Sequence, residues 1–393
     1  MTPGRPVMPG ADKVRRDLSA EGAPPSSSAP AGTAAFGATS PTSGLGPLTV
    51  QRREPKPDDV EIEIDFCGLC HSDVHATRGE WGARPWPLVP GHEIVGRVRR
   101  LGDEVQGFAV GDRVGVGCLV DSCRECENCL DGVEQFCEKG PVLTYGSVDP
   151  RNGEAVTQGG YSQRIVVNEH FVLRIPDGME PAAAAPLLCA GITTYSPLHY
   201  FGVEPGEHVG VVGLGGLGHL AVKLAKAMGA EVTVFTRSSA KASAARDLGA
   251  DRVVVTTDPD QLRAAERSLD VVIDTVAAAH DVNAYLRTLR LDGALFQLSL
   301  PAGTMAPVDP GLLIRRRLSY AGSLIGGIAE TQEMLDFCAE HGVAAEIELI
   351  GASELNEAFD RMVAGDVNYR FVLDASTLEG AGAGSAQAGE GKA

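Results

Sequence analysis

The sequence predicts an α/β chain in two parts: an irregular β-rich part that holds metal-ligand residues, and a doubly wound parallel sheet. Three observations carry this. Val60-Glu61-Ile62-Glu63-Ile64-Asp65-Phe66 alternates apolar and acidic residues, the period of a half-buried strand. Four cysteines, Cys123, Cys126, Cys129 and Cys137, crowd into fifteen residues. After about residue 181, short apolar runs alternate with helical patterns, which implies a parallel sheet with helices on both faces.

The β-rich part runs on from residue 58. Gly-Asp pairs at 102–103 and 111–112 mark turns, and 110–116 reads as a strand entered from a tight turn. In the second part, Val209-Gly210-Val211-Val212 is a strand. A helix follows with Leu217, Leu220, Ala221, Leu224, Ala225 and Met228 on one face, and Gly229 ends it. Further strands are expected at 232–235, 253–255, 271–273 and 294–298. Residues 351–374 return to a mixed pattern and are expected to rejoin the first part. Residues 1–32 and 376–393 are poor in large apolar groups and are expected to be disordered tails.

The 393 residues suffice for two domains. The formal net charge of −18 argues against nucleic acid and anionic membranes as partners. The N-terminus lacks the apolar core of a secretion signal, and no apolar run is long enough to span a bilayer. Nine cysteines, an odd number, then read as metal ligands or free thiols in a cytoplasmic protein.

The four-cysteine run has the spacing C-x2-C-x2-C-x7-C. Four thiolates so placed enclose one tetrahedral zinc and leave no position open, which is a structural site. A sparser set is Cys70, His92 and Cys189, with Glu93 as a transient ligand. Two thiolates and an imidazole leave the fourth position for water or substrate, which is a catalytic site. Taken singly, Cys189 reads as a small core residue and His92 as a hydrogen-bonded group. Cys67 is the local rival of Cys70 and reads as packing. Asp73 is expected to fix the tautomer of His92 through its far nitrogen.

Gly213-Leu214-Gly215-Gly216-Leu217-Gly218 is G-x-G-x-x-G between a strand and a helix, the context of a dinucleotide loop. At the end of the next strand an acidic residue would select NAD. Here stand Thr236-Arg237-Ser238-Ser239-Ala240-Lys241, suited to a 2′-phosphate, so NADP(H) is expected. The plainer alternative is a solvated turn with Ser238 as a helix cap.

These motifs, with VPGHEIVGRV, GGYSQRIVV, APLLCAGITTYSPL, GSLIGG and DVNYRFVLD, make residues 36–375 resemble the zinc-dependent medium-chain alcohol dehydrogenases, in the cinnamyl-alcohol-dehydrogenase-like, NADPH-dependent aldehyde reductase branch. The resemblance implies a GroES-like catalytic domain over 33–180 and 326–375 and a Rossmann cofactor domain over 181–325. It implies two zinc ions per chain, an aldehyde or alcohol substrate and a homodimer. It also implies that Ser72 bonds the substrate oxygen and passes its proton toward His75. Thr193, Thr275, Ser323, Leu324 and Ile325 match the family's cofactor contacts. Trp81, Cys118 and Val142 fall at substrate-pocket positions. Val142 replaces an aromatic residue of the plant lignin enzymes and Trp81 an aliphatic one, so a rebuilt pocket is expected. Rival readings are a zinc- and nucleotide-binding redox sensor without turnover, a zinc-free quinone reductase and a polyol dehydrogenase.

Overall fold

The computed structural model describes residues 32–82, 85–300 and 304–378. Two sheets dominate. The first is mainly antiparallel and has Asp59–Gly68 at its centre. That strand pairs with Ile94–Leu101, Arg164–Asn168 and Arg370–Asp374. Val60, Ile62 and Ile64 are buried, as the alternation requires. The return of the C-terminal segment is as expected: Arg370–Asp374 lies beside the central strand, with Ile347–Ile350 parallel to it.

The second sheet is wholly parallel. Its strands run in the order Arg252–Val255, Glu231–Thr236, His208–Val212, Leu269–Asp274, Leu289–Gln297, Ser319–Gly322. In chain order this is 3-2-1-4-5-6, with the switch point between His208–Val212 and Leu269–Asp274. The helix after the glycine loop is Gly218–Ala227, and Leu220, Ala221, Leu224 and Ala225 are fully buried. Leu217 and Met228 flank it and pack on the same core. That core also takes in Val95, Leu173 and Val372, so the two sheets share apolar packing.

Three features depart from the sequence reading. The strand expected at 110–116 spans only Arg113–Val116, because the turn consumes 110–112; Val110 is exposed and Gly111 has φ +95°. Strands Thr33–Gly37 and Gly46–Val50 form a hairpin that the sequence did not announce. Ser376 to Leu378, assigned to the C-terminal tail, instead complete a short 3-10 helix, Ala375–Leu378, with Leu378 buried in the core of the first sheet. The expected disorder of 1–31 and of 379–393 lies outside the described residues.

The loop 213–218 is set by close approach. A Cβ at Gly218 would lie 2.2 Å from the Gly213 carbonyl oxygen, whereas one at Gly215 would meet nothing within 4 Å. Gly218→Ala is therefore expected to cost about 1–3 kcal/mol in urea unfolding. Gly215→Ala is expected to leave stability within about 0.5 kcal/mol and to weaken dinucleotide binding in a fluorescence titration.

Candidate metal and dinucleotide site

Cys70 caps the helix His71–Thr77 directly after the central strand. The helix carries Ser72, Asp73 and His75 in its first turns. His92 and Glu93 lie between the Pro90-Gly91 turn and the strand Ile94–Leu101. Cys189 caps the helix Ala190–Phe201, 96 positions beyond Glu93, and Thr193 donates its backbone N–H to the Cys189 carbonyl at 3.0 Å. The fold brings these distant segments together: one donor atom from each of Cys70, His92, Glu93 and Cys189 lies within 4.8 Å of all the others.

Asp73 is fully buried and takes four hydrogen bonds. Its Oδ2 accepts from the Cys70 N–H at 2.9 Å and the Tyr161 hydroxyl at 3.1 Å. Its Oδ1 accepts from the Gly91 N–H and from His92 Nδ1, both at 3.1 Å. This fixes the proton of His92 on Nδ1 and aims Nε2 at the cluster, 3.3 Å from Cys189 Sγ. Burial opposes charge on His92, yet Asp73 and then Cys118 raise its proton affinity well above the imidazole norm. The Cys70 thiol is held below its ordinary value, first by its hydrogen bond with Cys189 and then by His92, against burial. Burial pushes the Cys67 thiol up, which separates it from Cys70 and fits packing.

Glu93 is fully buried and its Oε1 pairs with Arg370 Nη2, while Oε2 has no hydrogen-bond partner. Burial pushes its carboxyl up to about 7, with Arg370 opposing. Two soft sulfurs, an imidazole nitrogen and an orphaned carboxylate oxygen, in a field that favours a cation, form a donor set that fits zinc. The residues Cys123, Cys126, Cys129 and Cys137 likewise meet within 4.8 Å. Backbone N–H groups of Cys123 and Cys126 point at Cys137 and Cys123 Sγ, at 3.4 and 3.3 Å. Four sulfurs with no other ligand type fit a closed zinc site.

Ser72 Oγ lies 3.5 Å from Cys70 Sγ. His75 Nδ1 is 2.5 Å from Glu80 Oε2, and the Trp81 ring stacks on the imidazole at 5.0 Å. Cys118 stands against Cys189, the largest influence on its thiol, which is lowered. Val142 is buried in the small sheet that begins beside Cys118, paired with Asp121.

On the dinucleotide side, Gly213 to Gly218 leave the strand His208–Val212 at the switch point. Thr275 follows the neighbouring strand Leu269–Asp274 and donates its hydroxyl to the Val212 carbonyl at 2.7 Å. Leu214 and Lys241 are brought together, with Lys241 Nζ donating to the Leu214 carbonyl at 3.1 Å. Thr236 is buried at its strand end and Arg237 is exposed. Ser238 caps the next helical turn through the Ala240 N–H at 3.2 Å, so the capping role exists beside any phosphate contact. Ser323 donates its N–H to the Gln297 carbonyl at 3.3 Å, and Leu324 is exposed. Ile325 has φ +38°, a strained value for a β-branched residue.

Three participants were missed in the sequence. Arg370 pairs with Glu93, and an added Cβ at Gly216 would lie 3.0 Å from its Nη1, so one guanidinium touches both the metal cluster and the glycine loop. Tyr161 and Glu80 were also missed. Only their places in GGYSQRIVV and beside Trp81 hinted at them. Arg370→Met, which leaves Glu93 buried and unpaired, is expected to lower stability by about 3–5 kcal/mol, measured by urea unfolding of the zinc-loaded protein.

Comparison with known proteins agrees with this geometry. The model for the alcohol dehydrogenase GroES-like domain matches residues 56–177, and that for zinc-binding dehydrogenases matches 216–340. The chain is 53% identical to aldehyde reductase YahK of Escherichia coli (strain K12) over 345 residues, 88% of this chain and 98% of the relative. It is 54% identical to NADP-dependent alcohol dehydrogenase C 1 of Mycolicibacterium smegmatis (strain ATCC 700084 / mc(2)155) over 346 residues, again 88% and 98%. Among solved structures it is similar to a cinnamyl alcohol dehydrogenase of Sorghum bicolor, with 43% identity, a TM-score of 0.85, and coverage of 88% of this chain and 98% of the other. The chain belongs to the zinc-binding alcohol dehydrogenase family.

Proposed function

We propose that this chain is an NADP(H)-dependent zinc oxidoreductase that interconverts aldehydes and primary alcohols, working chiefly as an aldehyde reductase with aromatic and cinnamyl-type substrates within its range. The observation that carries this reading is the meeting of Cys70, His92, Glu93 and Cys189 donors within 4.8 Å, tied through Arg370 to a dinucleotide loop. The close likeness to enzymes named as aldehyde reductase and alcohol dehydrogenase favours turnover over redox sensing. The ligand set disfavours the zinc-free quinone reductase. The absence of an acidic residue at 236–241 disfavours a polyol dehydrogenase of the kind that binds NAD.

When bound, zinc supplies a Lewis acid for the carbonyl oxygen and NADPH supplies the hydride. Cys70, His92 and Cys189 hold the metal, Glu93 stands as a reserve ligand, and Asp73 orients His92. Ser72 donates a hydrogen bond to the reacting oxygen. His75 exchanges the proton with solvent; Glu80 holds its Nδ1, which leaves Nε2 for the relay. Residues 33–180 and 326–378 form the catalytic part and 181–325 the cofactor part. Gly213 to Gly218 take the pyrophosphate, with Thr193, Thr275 and 323–325 around the rest of the cofactor. Thr236, Arg237, Ser238 and Lys241 receive the 2′-phosphate. Trp81, Cys118 and Val142 border the substrate. The proposed setting is a cytoplasmic homodimer. Among the described residues no helix is long and apolar enough to cross a membrane.

An NADPH-oxidation screen over aliphatic, benzylic and cinnamyl aldehydes, run beside metal analysis, tests the reading. About two zinc ions per chain and aldehyde-dependent oxidation are expected. Bound zinc and NADPH without turnover would make the protein a sensor. Ser72→Ala is expected to lower kcat by roughly 10²-fold or more with both zinc ions retained; unchanged turnover removes Ser72 from the relay. Arg237→Asp is expected to reverse the preference for NADPH over NADH in kcat/KM, and an unchanged ratio would remove Arg237 from cofactor choice.

A further inference from the structure

We infer that Tyr161 is a positioning residue of the mixed-ligand metal centre: its hydroxyl locks the Asp73 carboxylate, and Asp73 in turn aims His92. The inference rests on the reading of Cys70, His92 and Cys189 as a zinc site.

Tyr161 is fully buried, at 0% exposure, and so is Asp73. The phenol is 88 positions away in sequence yet 3.1 Å from Asp73 Oδ2. A carboxylate buried at this depth must have its lone pairs occupied, or it loses hydration without compensation. Two backbone N–H groups and one imidazole cover part of the demand. Each carboxylate oxygen takes two donors, and Tyr161 is the second donor on Oδ2. Without it, Oδ2 keeps only the Cys70 N–H, and the carboxylate plane is held by three hydrogen bonds in place of four, which loosens its rotation about the Cβ–Cγ bond. Rotation moves Oδ1 away from His92 Nδ1 and lets the imidazole swing. Burial and the Asp73 charge push the phenol far above its ordinary pKa, so Tyr161 stays a donor.

The surroundings hold Tyr161 in place. Its backbone N–H donates to the Pro90 carbonyl at 3.0 Å, and Gly160 donates to the Gly91 carbonyl at 2.9 Å. These bonds strap the 159–161 segment across the turn that delivers His92. Gly91 has φ +101°, and a Cβ there would sit 2.6 Å from Tyr161 Cδ1, so turn and ring are in direct contact. Arg52 fastens the other end of the strap, donating to the Gln158 and Gly159 carbonyls at 2.6 and 2.9 Å and to Ser162 Oγ at 2.7 Å. Tyr161 therefore reads out the position of the His92 turn through its backbone and sets the Asp73 carboxylate through its side chain.

The four-cysteine site supplies an internal reference, because it shares no hydrogen bond with Asp73 among the described residues. Zinc release from the full-length protein is followed with a chromogenic chelator. Cys189→Ala identifies which kinetic phase belongs to which site. Tyr161→Phe keeps the ring and removes the donor. It is expected to speed release from the mixed site by about 10-fold or more, with four-cysteine release unchanged, and to shift the visible absorption of the cobalt-substituted protein. In an Asp73→Asn background the same substitution is expected to add less than about twofold, because the group it orients has gone. Unchanged release and an unchanged cobalt spectrum in Tyr161→Phe would overturn the inference. So would an undiminished effect in the Asp73→Asn background, which would make the role one of packing. Placing 3-fluorotyrosine at position 161 keeps the shape with a stronger donor and is expected to slow release; a rate equal to that of the tyrosine protein overturns the inference even where Tyr161→Phe does not fold. A wild-type protein that binds only the four-cysteine zinc would overturn the metal reading itself, an outcome distinct from all of these.

Discussion

The buried carboxylate of Asp73 is the constraint around which the candidate metal centre is built. A charge with no exposure needs full hydrogen bonding, and the fold supplies it from three separate segments: the Cys70 cap, the Gly91-His92 turn and Tyr161. Satisfying that one group fixes the distance between the helix His71–Thr77 and the turn after Pro90. Two of the four candidate ligands are thereby set relative to each other. Cys189 then enters from the helix Ala190–Phe201, against His92 Nε2.

Arg370 plays the corresponding part between metal and dinucleotide. Its strand is paired with the central strand of the first sheet, while its guanidinium lies between Glu93 and the glycine loop of the second. The switch point of the parallel sheet leaves a crevice at its strand ends, and the shared apolar core holds the metal cluster beside it. The close spacing suits chemistry in which charge develops on an oxygen while hydride moves from a nearby ring. The four-cysteine cluster stands apart in type: its donors are sulfur alone, the ligand set of a closed zinc site.

Local features were the most legible in the sequence. The period-2 run at 60–66, the apolar helix face after Gly218 and the C-x2-C-x2-C-x7-C spacing depend on neighbours a few residues apart, and each appears in the structure. Strand limits were less legible where turn and strand chemistry overlap, as at 110–112, and the hairpin Thr33–Gly37 with Gly46–Val50 has little periodicity to announce it. Leu378 shows how a segment judged by average composition can still place one side chain in a core.

By itself the sequence determined the inventory: which thiols and imidazoles exist, the closed spacing of four cysteines, and a glycine loop set between strand and helix. Those are properties of short stretches, where backbone geometry links residue type to position. Only the tertiary structure decided that Tyr161 and Arg370 belong with that inventory. It also gave the physical ground for separating Cys70 from its neighbour Cys67, since Cys70 meets His92 and Cys189 while Cys67 is sealed in packing. The reason is distance along the chain. Tyr161 lies 88 positions from Asp73 and Arg370 277 from Glu93; such pairings are set by sheet pairing and burial of charge, and a linear pattern does not carry either.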